Sequence, residues 1–335
     1  MKAMVVRAPG GLDRLELVDR PDPGQPGKGE IRVALHASSL NFHDYGVASG
    51  RARAEDGRVL MADGAGVVEA VGDGVTEFAP GDHVVSCFFP DWQAGPPTIS
   101  NFSRTPGDGM DGFAQEHVVL PATAFTRAPH GFSHVEAATI TTAGLTAWRA
   151  LVVDGGLKPG DTVLALGTGG VSIYALQLAK MIGARVIITS SSDQKLERAR
   201  ALGADETINY RQTEKWGARV RELTGGRGVD HVVEVGGPGT LPQSIEAVRV
   251  DGHISLIGVL TGRGGEVPTA LLMAKQARLQ GLIVGSRREQ QDFVRALDSG
   301  TLRPVIDRVF PLEKLSDAFR YEEAGSHFGK IGVEW

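Results

Sequence analysis

The chain has 335 residues, which exceeds one ordinary hydrophobic core and suits two domains. Its net charge of −5, from 35 basic and 40 acidic residues, gives no reason to expect nucleic acid or a membrane surface as the main partner. No apolar run reaches the roughly 20 residues of a membrane span, and the first residues lack the apolar core of a signal peptide, so we expect a cytoplasmic protein.

Residues 1–125 are rich in short strands and glycine-containing turns, which predicts a β domain. Strands are expected at 1–7, 15–18, 30–35, within 59–71 and after the turn at 80–82. Residues 87–112 are the least regular stretch and carry clustered aromatic side chains. Such a loop is a candidate wall of a substrate pocket, and a cover for the edge of the core is an equally good interpretation.

Residues 161–180 form the pattern of a buried strand, a glycine-rich turn and a helix. Gly167 allows the sharp turn off the strand, and Gly169 lets the backbone approach a pyrophosphate, which the N–H groups at the start of the helix would bind. Ser172 occupies the third position of this motif, where glycine or alanine is usual. The predicted dinucleotide-binding turn comprises Gly167, Thr168, Gly169, Gly170 and Val171.

The alternation of strand and helix continues beyond this turn. Strands are predicted at 163–166, 184–189, 207–210, 229–235, 253–258 and 279–284, with helices at 193–202, 213–223, 241–250 and 269–277 between them. Six such strands make a doubly wound parallel Rossmann sheet, so the fold class is α/β. The elements after 286 are expected to rejoin the N-terminal domain, which gives the domains 1–125, 126–286 and 287–335.

The end of the second strand selects the nicotinamide cofactor. An acidic residue there would hold the ribose 2′-hydroxyl of NAD, but this strand ends in Ser190 and Ser191. Their hydroxyls can donate to a 2′-phosphate, and Lys195 and Arg211 supply positive charge. Asp193 is evidence against a phosphate, although it also suits the N-cap of the next helix. We therefore favour NADP(H).

Several separated stretches together resemble one family, the medium-chain dehydrogenase/reductase superfamily. They are Gly-Ala-Gly-Val-Val-Glu-Ala-Val-Gly at 64–72, Pro-Gly-Asp-His-Val at 80–84, Gly-Phe-Ala-Gln-Glu at 112–116, Ala-Gly-Leu-Thr-Ala at 143–147, Leu-Gly-Ala-Asp at 202–205 and His-Phe-Gly-Lys-Ile at 327–331. The resemblance implies a GroES-like β domain interrupted in sequence by the Rossmann domain. It also implies an active site in the cleft between the two domains.

The departures from the family pattern concern zinc. Where zinc alcohol dehydrogenases carry a cysteine and a Gly-His-Glu motif, this chain has Asn41 and Met-Ala-Asp at 61–63, and Cys87 is its single cysteine. An intrachain disulfide is therefore excluded, and Cys87 is expected to be a small buried hydrophobe. No metal site is expected, and the chain resembles the zinc-free quinone oxidoreductase-like branch, in which Ser-Leu-Asn-Phe-x-Asp, here 39–44, is the usual form.

Without zinc, hydride addition to a conjugated acceptor is easier than oxidation of a simple alcohol, because conjugation spreads the developing negative charge. A few hydrogen-bond donors near the acceptor oxygen then suffice. We expect Asn41 and His43 to donate to this oxygen or to the nicotinamide ribose. A pKa near neutrality would also suit His43 to proton delivery. Tyr45 is a further candidate donor or a packing residue, and Asp44 is expected to be a structural acceptor.

The resemblance implies further contacts with the cofactor, each of which could equally be ordinary packing. Thr146 would lie near the nicotinamide, Gly258 and Val259 would line its carboxamide, and Lys330 would approach the phosphates. Tyr210 could stack near the adenosine. The last strand of the nucleotide sheet, 279–284, pairs with its twin in the family, which predicts a homodimer.

The expected function is NADPH-dependent hydride transfer to a quinone or an α,β-unsaturated carbonyl without zinc. Two alternatives stay open at this point. One is a zinc-free alcohol or ketone oxidoreductase, and the other is an NADPH-binding sensor or structural protein with little turnover.

Overall fold

The computed structural model describes all 335 residues, which form two compact units, Met1–Leu145 with Val284–Trp335 and Thr146–Ile283. The strands are β1 Lys2–Val6, β2 Leu15–Asp19, β3 Glu30–Ser39, β4 Arg58–Val59, β5 Ala65–Val71, β6 His83–Ser86, β7 His117–Pro121, β8 Phe125–Arg127, β9 Thr162–Ala165, β10 Arg185–Ser190, β11 Glu206–Asn209, β12 Val229–Glu234, β13 Val248–Leu256, β14 Arg278–Gly281, β15 Ile306–Pro311 and β16 Lys330–Glu334. The helices are α1 Phe42–Ala48, α2 His134–Ala138, α3 Leu145–Trp148, α4 Gly170–Ile182, α5 Asp193–Ala201, α6 Trp216–Leu223, α7 Leu241–Ala247, α8 Thr269–Ala274, α9 Arg287–Ser299 and α10 Leu315–Glu323. None of them combines the length and the apolar character that a membrane span requires.

The unit Thr146–Ile283 contains the predicted Rossmann sheet. Its six strands are all parallel in the order β11-β10-β9-β12-β13-β14, which is the strand order of a full dinucleotide-binding sheet. Every residue of β9 and β12 is buried, as expected for central strands covered on both faces. The α/β fold class is therefore confirmed.

Several predicted boundaries in this unit are wrong, and two of them have a clear physical reason. The helix predicted at 241–250 ends at Ala247, and β13 already begins at Val248 because the chain pairs there with Val229 of β12. The strand predicted at 279–284 ends at Gly281, and Val284 has a left-handed φ of 46°, which is incompatible with an extended strand. β14 is nevertheless the edge of the sheet, and its pairing with a second copy stays a prediction.

The other unit is built on a seven-stranded sheet in the order β15-β16-β3-β5-β6-β8, with β7 paired to β3. The last strand, β16, lies antiparallel to β3, with Gly332 opposite Ser39. The tail therefore rejoins the N-terminal strands, as the sequence predicts. β3 continues to Ser39, four residues beyond its predicted end, which brings the segment 38–44 beside the start of β16.

The boundaries between the units differ from those expected at 125/126 and 286/287. They fall after Leu145 and before Val284. β8 pairs with β6 of the N-terminal sheet, and α2 packs on β3 and β5, so the chain between 126 and 145 belongs to the GroES-like unit. The first boundary between the two units is therefore set by the pairing of strands and not by a change in amino-acid composition.

The stretch 87–112 contains no long helix or strand, as expected, and its aromatic side chains pack on one another. Phe88, Phe89 and Trp92 are all buried, and the rings of Phe88 and Phe89 meet edge to face at 4.8 Å. Cys87 is a buried free cysteine, which agrees with its predicted role as a small hydrophobe.

Candidate active site

The segment that links β3 to α1 is buried although it is polar. The backbone N–H of Asn41 donates to one oxygen of the Asp44 carboxylate at 3.0 Å, which closes a capping box at the start of α1. The other oxygen of Asp44 accepts the backbone N–H of Ala62 at 2.8 Å. Asp44 therefore fixes the start of α1 against the segment before β5, as expected of a structural acceptor.

Asp63 is a second carboxylate at this place, and it is completely buried. It accepts hydrogen bonds from Ser39 Oγ at 2.5 Å, from Asn41 Nδ2 at 2.8 Å and from Thr142 Oγ1 at 2.6 Å. Sequence reasoning gave this residue no role. The available signal was an acidic residue within the otherwise apolar stretch 60–65.

Lys330, the first residue of β16, places its ammonium among these groups. The residue is only 4% exposed, and its Nζ donates to the Leu40 carbonyl and, at 2.7 Å, to Asn41 Oδ1. Nζ also lies 3.8 Å from Asp63 Oδ2. We call the group of Asn41, Asp44, Asp63 and Lys330 the Lys330 network.

Burial perturbs the ionisation of this network. It raises the pKa of Asp44 to about 7, with a further contribution from Asp63 nearby, and it lowers the pKa of Lys330. On α10, burial also raises the pKa of Glu322 to about 8, and its buried Oε2 has no hydrogen-bond partner. The stability of this unit should therefore depend on pH near neutrality.

The contacts of the network correct the roles expected for Lys330 and Asn41. The ammonium of Lys330 is bound within its own unit, so it is not free to contact a cofactor phosphate. The amide nitrogen of Asn41 donates to Asp63 and also lies within hydrogen-bond distance of Asp44 Oδ2 and the Ser39 carbonyl. Its donors are used internally, which leaves none for a substrate oxygen.

Tyr45 also lies on α1, and its hydroxyl is not available to donate a hydrogen bond to a substrate. The residue is 4% exposed, its hydroxyl donates to the Glu323 carboxylate, and its ring is 6.4 Å from that of Phe319. Of its two expected roles, packing is the one that the structure supports.

His43 lies beside the aromatic loop. Its ring centroid is 5.5 Å from Phe88 and 4.5 Å from Phe102. Burial lowers the pKa of His43 to about 4, so the ring is neutral at pH 7 and the expected titration near neutrality is wrong. A neutral imidazole still offers one N–H as a hydrogen-bond donor.

One further carboxylate, Asp108, approaches this histidine. Its Oδ2 lies 3.4 Å from His43 Nε2, and the two side chains are 17% and 19% exposed. Sequence reasoning missed Asp108, because nothing in the irregular stretch 87–112 indicates which of its polar residues faces α1.

In the Rossmann unit the glycine turn has the geometry that a pyrophosphate requires. Gly167 has φ 75°, and a Cβ at Gly167 or Gly169 would have no heavy atom within 4 Å, so the space above the turn is open. α4 begins at Gly170 after Gly169 without a side-chain cap. Thr168 is buried and Val171 is half-buried in the same turn. The residues fit a dinucleotide, and their contacts with it stay a prediction.

Ser172 has a structural role in this turn. Its hydroxyl donates to the Leu166 carbonyl at 2.6 Å, across the glycines. The serine thereby joins the end of β9 to the first turn of α4, where glycine or alanine would permit close packing instead.

The ends of β10 and β11 lie side by side and bring together the residues expected to select the cofactor. The N–H of Tyr210 donates to the Ser190 carbonyl at 3.0 Å. Ser190 is buried, whereas Ser191 is partly exposed and Tyr210 is 42% exposed. Arg211 follows at the surface, so its guanidinium is available near this edge.

Asp193 is not the N-cap of α5, which corrects one expectation. Ser192 takes that position, with its Oγ 3.4 Å from the N–H of Lys195, and Asp193 is the first helical residue. The Asp193 carboxylate accepts from Asn209 Nδ2 at 2.7 Å and from Gln212 Nε2 at 3.1 Å. These two amides therefore occupy part of the hydrogen-bond acceptor positions of the Asp193 carboxylate.

The remaining predicted cofactor residues differ in exposure. Thr146 is buried, and Val259 is 48% exposed after the end of β13. A Cβ at Gly258 would meet the Val235 carbonyl oxygen at 2.1 Å, so this backbone approach requires glycine. The contacts of Thr146, Gly258 and Val259 with a cofactor stay a prediction.

A buried carboxylate that sequence reasoning missed organises the loop after β12. Glu234 is fully buried and accepts from the N–H groups of Gly236 and Gly237 and from the hydroxyls of Thr240 and Ser244. It fixes the loop at the carboxyl end of the sheet, where ligands of such sheets bind.

Two family models match the chain. "Alcohol dehydrogenase GroES-like domain" matches residues 27–130, and "Zinc-binding dehydrogenase" matches residues 170–299. The chain belongs to the medium-chain dehydrogenase/reductase superfamily.

Curated relatives cover nearly the whole of this medium-chain dehydrogenase/reductase. The zinc-type alcohol dehydrogenase-like protein C1773.06c of Schizosaccharomyces pombe is 40% identical over 96% of this chain and 95% of its own length. The 2-haloacrylate reductase of a Burkholderia species is 29% identical over 98% of this chain and 97% of its own length.

Solved structures show the same fold along the whole chain. An NAD-dependent alcohol dehydrogenase has a TM-score of 0.90 and 39% identity, with all of both chains covered. The crotonyl-CoA carboxylase/reductase AntE in complex with NADP has a TM-score of 0.88 and 27% identity, covering 100% of this chain and 94% of AntE. A quinone oxidoreductase of Pseudomonas syringae has a TM-score of 0.82 and 30% identity, covering 100% of this chain and 99% of its own.

The residues of this medium-chain dehydrogenase/reductase do not fit the zinc ion that part of the superfamily binds. At the corresponding place the Lys330 network offers an amide and two carboxylates that already accept protein hydrogen bonds, together with an ammonium that would repel a cation. No group of three or more histidine, cysteine or acidic side chains in the structure is arranged to hold a metal.

Lys330→Met should destabilise this medium-chain dehydrogenase/reductase strongly. The variant leaves Asn41 Oδ1 and the carboxylate of Asp63 without the buried ammonium, so we expect the free energy of unfolding to fall by about 3–5 kcal/mol in urea denaturation. Lys314→Met, at a lysine 64% exposed, is the matched control and should change it by less than about 0.5 kcal/mol. Equal stability of both variants would contradict a structural role for the network.

Glu322→Gln should flatten the pH dependence of stability. Because the pKa of Glu322 is raised to about 8 in the folded state, its stabilising contribution is complete below the unfolded pKa and is lost as pH rises through about 8. We expect the wild-type free energy of unfolding to decline from about pH 5 to about pH 8, and the decline in the variant to be smaller by about 1–2 kcal/mol. Asp44 titrates with the same sign, so some slope should remain. The exposed Glu313→Gln is the control, and an equal decline in wild type and Glu322→Gln would refute the assignment.

Proposed function

We propose that this protein is an NADPH-dependent oxidoreductase that adds hydride to a quinone or an α,β-unsaturated carbonyl without zinc. The observation that carries the proposal is the Lys330 network. Where zinc enzymes of the superfamily have a metal ligand, this protein has Asn41, whose Oδ1 accepts a hydrogen bond from the Lys330 ammonium. Such a site lacks a strong Lewis acid for an alcohol oxygen. A conjugated acceptor needs less stabilisation, because its negative charge develops away from the carbon that receives hydride.

The protein groups that support this chemistry are the aromatic loop and His43. When bound, the nicotinamide supplies the hydride. His43 is held by Phe88 and Phe102, and the ring nitrogen that faces the acceptor oxygen donates a hydrogen bond to it when that nitrogen carries a proton. One well-placed donor of this kind contributes about 2–4 kcal/mol to the transition state.

The preference for NADPH rests on the paired ends of β10 and β11. No acidic residue ends β10, the Asp193 carboxylate is engaged by Asn209 and Gln212, and Arg211 lies exposed beside Ser190 to Ser192. These groups favour a 2′-phosphate over a 2′-hydroxyl. AntE, which was solved with NADP, and the 2-haloacrylate reductase also support a reductase of conjugated substrates that uses this cofactor.

A second candidate function is a zinc-free alcohol or ketone oxidoreductase. The 39% identical NAD-dependent alcohol dehydrogenase favours it, because that protein shares the fold over its entire length. The two candidates differ in the acceptors that they reduce and in the cofactor that they prefer.

The rate of NADPH oxidation distinguishes the two candidates. It is measured on the protein after dialysis against EDTA, with quinones, enones, saturated ketones and aldehydes as acceptors. We expect turnover of the conjugated acceptors alone, faster with NADPH than with NADH, and no loss of rate after chelation. Equal rates with saturated ketones would favour the second candidate, whereas activity that returns only on addition of zinc would contradict both candidates. NADPH binding with no turnover of any acceptor would instead indicate a sensor.

Arg211→Gln should weaken binding of NADPH selectively. Loss of one guanidinium near the 2′-phosphate should raise the Kd for NADPH by about 10-fold and leave that for NADH nearly unchanged. Arg219→Gln, which removes an exposed arginine paired with Glu222 on α6, is the matched control. Fluorescence titration of both cofactors measures the effect, and equal weakening of NADH would show that the arginine does not read the 2′-phosphate.

A further inference from the structure

We propose that Asp108 is a positioning residue for His43. Its carboxylate accepts a hydrogen bond from Nε2–H of the imidazole, which fixes the tautomer, and it stabilises the charged ring while Nδ1 carries a proton to the reduced acceptor. This inference rests on the proposed function, since it assigns the source of the proton that must accompany hydride.

The geometry of the pair supports this role. Nε2 of His43 is buried without a hydrogen-bond partner, and Asp108 Oδ2 is the acidic oxygen beside it, at 3.4 Å. A shift of a few tenths of an ångström would make this a hydrogen bond. Such contacts in dyads without substrate are commonly long and shorten when the substrate binds. The Phe88 and Phe102 rings limit the orientations that the imidazole can adopt.

The backbone around Asp108 places its carboxylate with little freedom. The Asp108 N–H donates to the Thr105 carbonyl at 3.2 Å. A Cβ at Gly107 would lie 2.8 Å from the Met61 nitrogen, and one at Gly109 would lie 2.2 Å from the Ser103 carbonyl oxygen, so the turn is tightly packed. Because Met61 adjoins Ala62, which binds Asp44 at the start of α1, the turn and the helix that carries His43 share one anchor.

The surroundings of the pair strengthen the interaction. Burial raises the pKa of Asp108, and the positive charge of Arg58 partly offsets this effect. The guanidinium of Arg58 is bonded to Glu55 and lies 3.5 Å from Asp111, so it does not bind the Asp108 carboxylate directly. In a partly water-free site, a carboxylate at Nε2 makes the charged imidazole accessible as negative charge develops on the acceptor.

The proton transfer balances in the following way. The acceptor gains hydride at carbon, and as negative charge develops on its oxygen, Nδ1 of the neutral His43 ring takes a proton from water and passes it to that oxygen. The ring returns to the neutral form with its remaining proton on Nε2, facing Asp108. Water supplies the proton and leaves as hydroxide, and it reaches the ring because 19% of the side chain is exposed. Asp108 keeps its charge throughout.

The direct test is the tautomer of His43, measured by long-range 1H–15N NMR of the full-length protein labelled at histidine. We expect the Nε2–H form in the wild type and a mixture of both tautomers in Asp108→Leu, which has no acceptor. Asp91→Leu, on the same loop but 51% exposed and paired with Arg104, is the control and should keep the wild-type tautomer. A wild-type Nδ1–H tautomer, or the same tautomer in Asp108→Leu, would overturn the proposal.

Kinetics provide the second readout. In Asp108→Asn, which preserves shape, kcat with a conjugated acceptor should fall by about 10-fold or more, while KM for the acceptor and Kd for NADPH change less than about twofold. Loss of NADPH binding instead would indicate a merely structural residue. If the wild type reduces no conjugated acceptor, the proposed function fails, and the NMR measurement still decides the pairing of Asp108 with His43.

Discussion

The buried ammonium of Lys330 is the interaction on which the GroES-like unit depends. Transfer of a charged amine from water to an interior costs several kcal/mol, and the cost is offset only where oxygen atoms surround it. Here the Leu40 carbonyl, Asn41 Oδ1 and, farther away, Asp63 perform that function. These partners come from the end of β3 and from the segment before β5, whereas the lysine comes from β16. The correct start of α1 therefore depends on β16, because β16 supplies this charge.

The same network determines what His43 can do. Asp44 holds the first turn of α1 through Asn41 and Ala62, and His43 projects from that turn toward Phe88 and Phe102. The helix is only seven residues long, so its orientation depends on these buried hydrogen bonds more than on helix propensity. A site built in this way presents a neutral imidazole at an aromatic wall.

The structure of the Rossmann unit is more predictable from the sequence than that of the GroES-like unit. In the Rossmann unit the central strands are short and buried, and glycines mark the turn at Gly167, so local sequence determines the succession of strands and helices and the position of that turn. Errors there were confined to the ends of elements, as at Val248 and Gly281. In the GroES-like unit, strands distant in sequence pair with one another, and local patterns do not reveal which side chains meet.

The sequence by itself determined the α/β fold, the family, the nucleotide-binding turn and the return of the tail to the N-terminal sheet. The fold and the turn follow from periodicity and glycine spacing, which are local properties, whereas the family follows from a resemblance carried by several separated motifs. Only the tertiary structure decided that Lys330 is buried against Asn41, that Tyr45 packs on Phe319 and that Asp108 lies beside His43. Each of these depends on the environment of a side chain, since burial and partners across the sheet, rather than residue type, determine whether a polar group is free to bind a ligand.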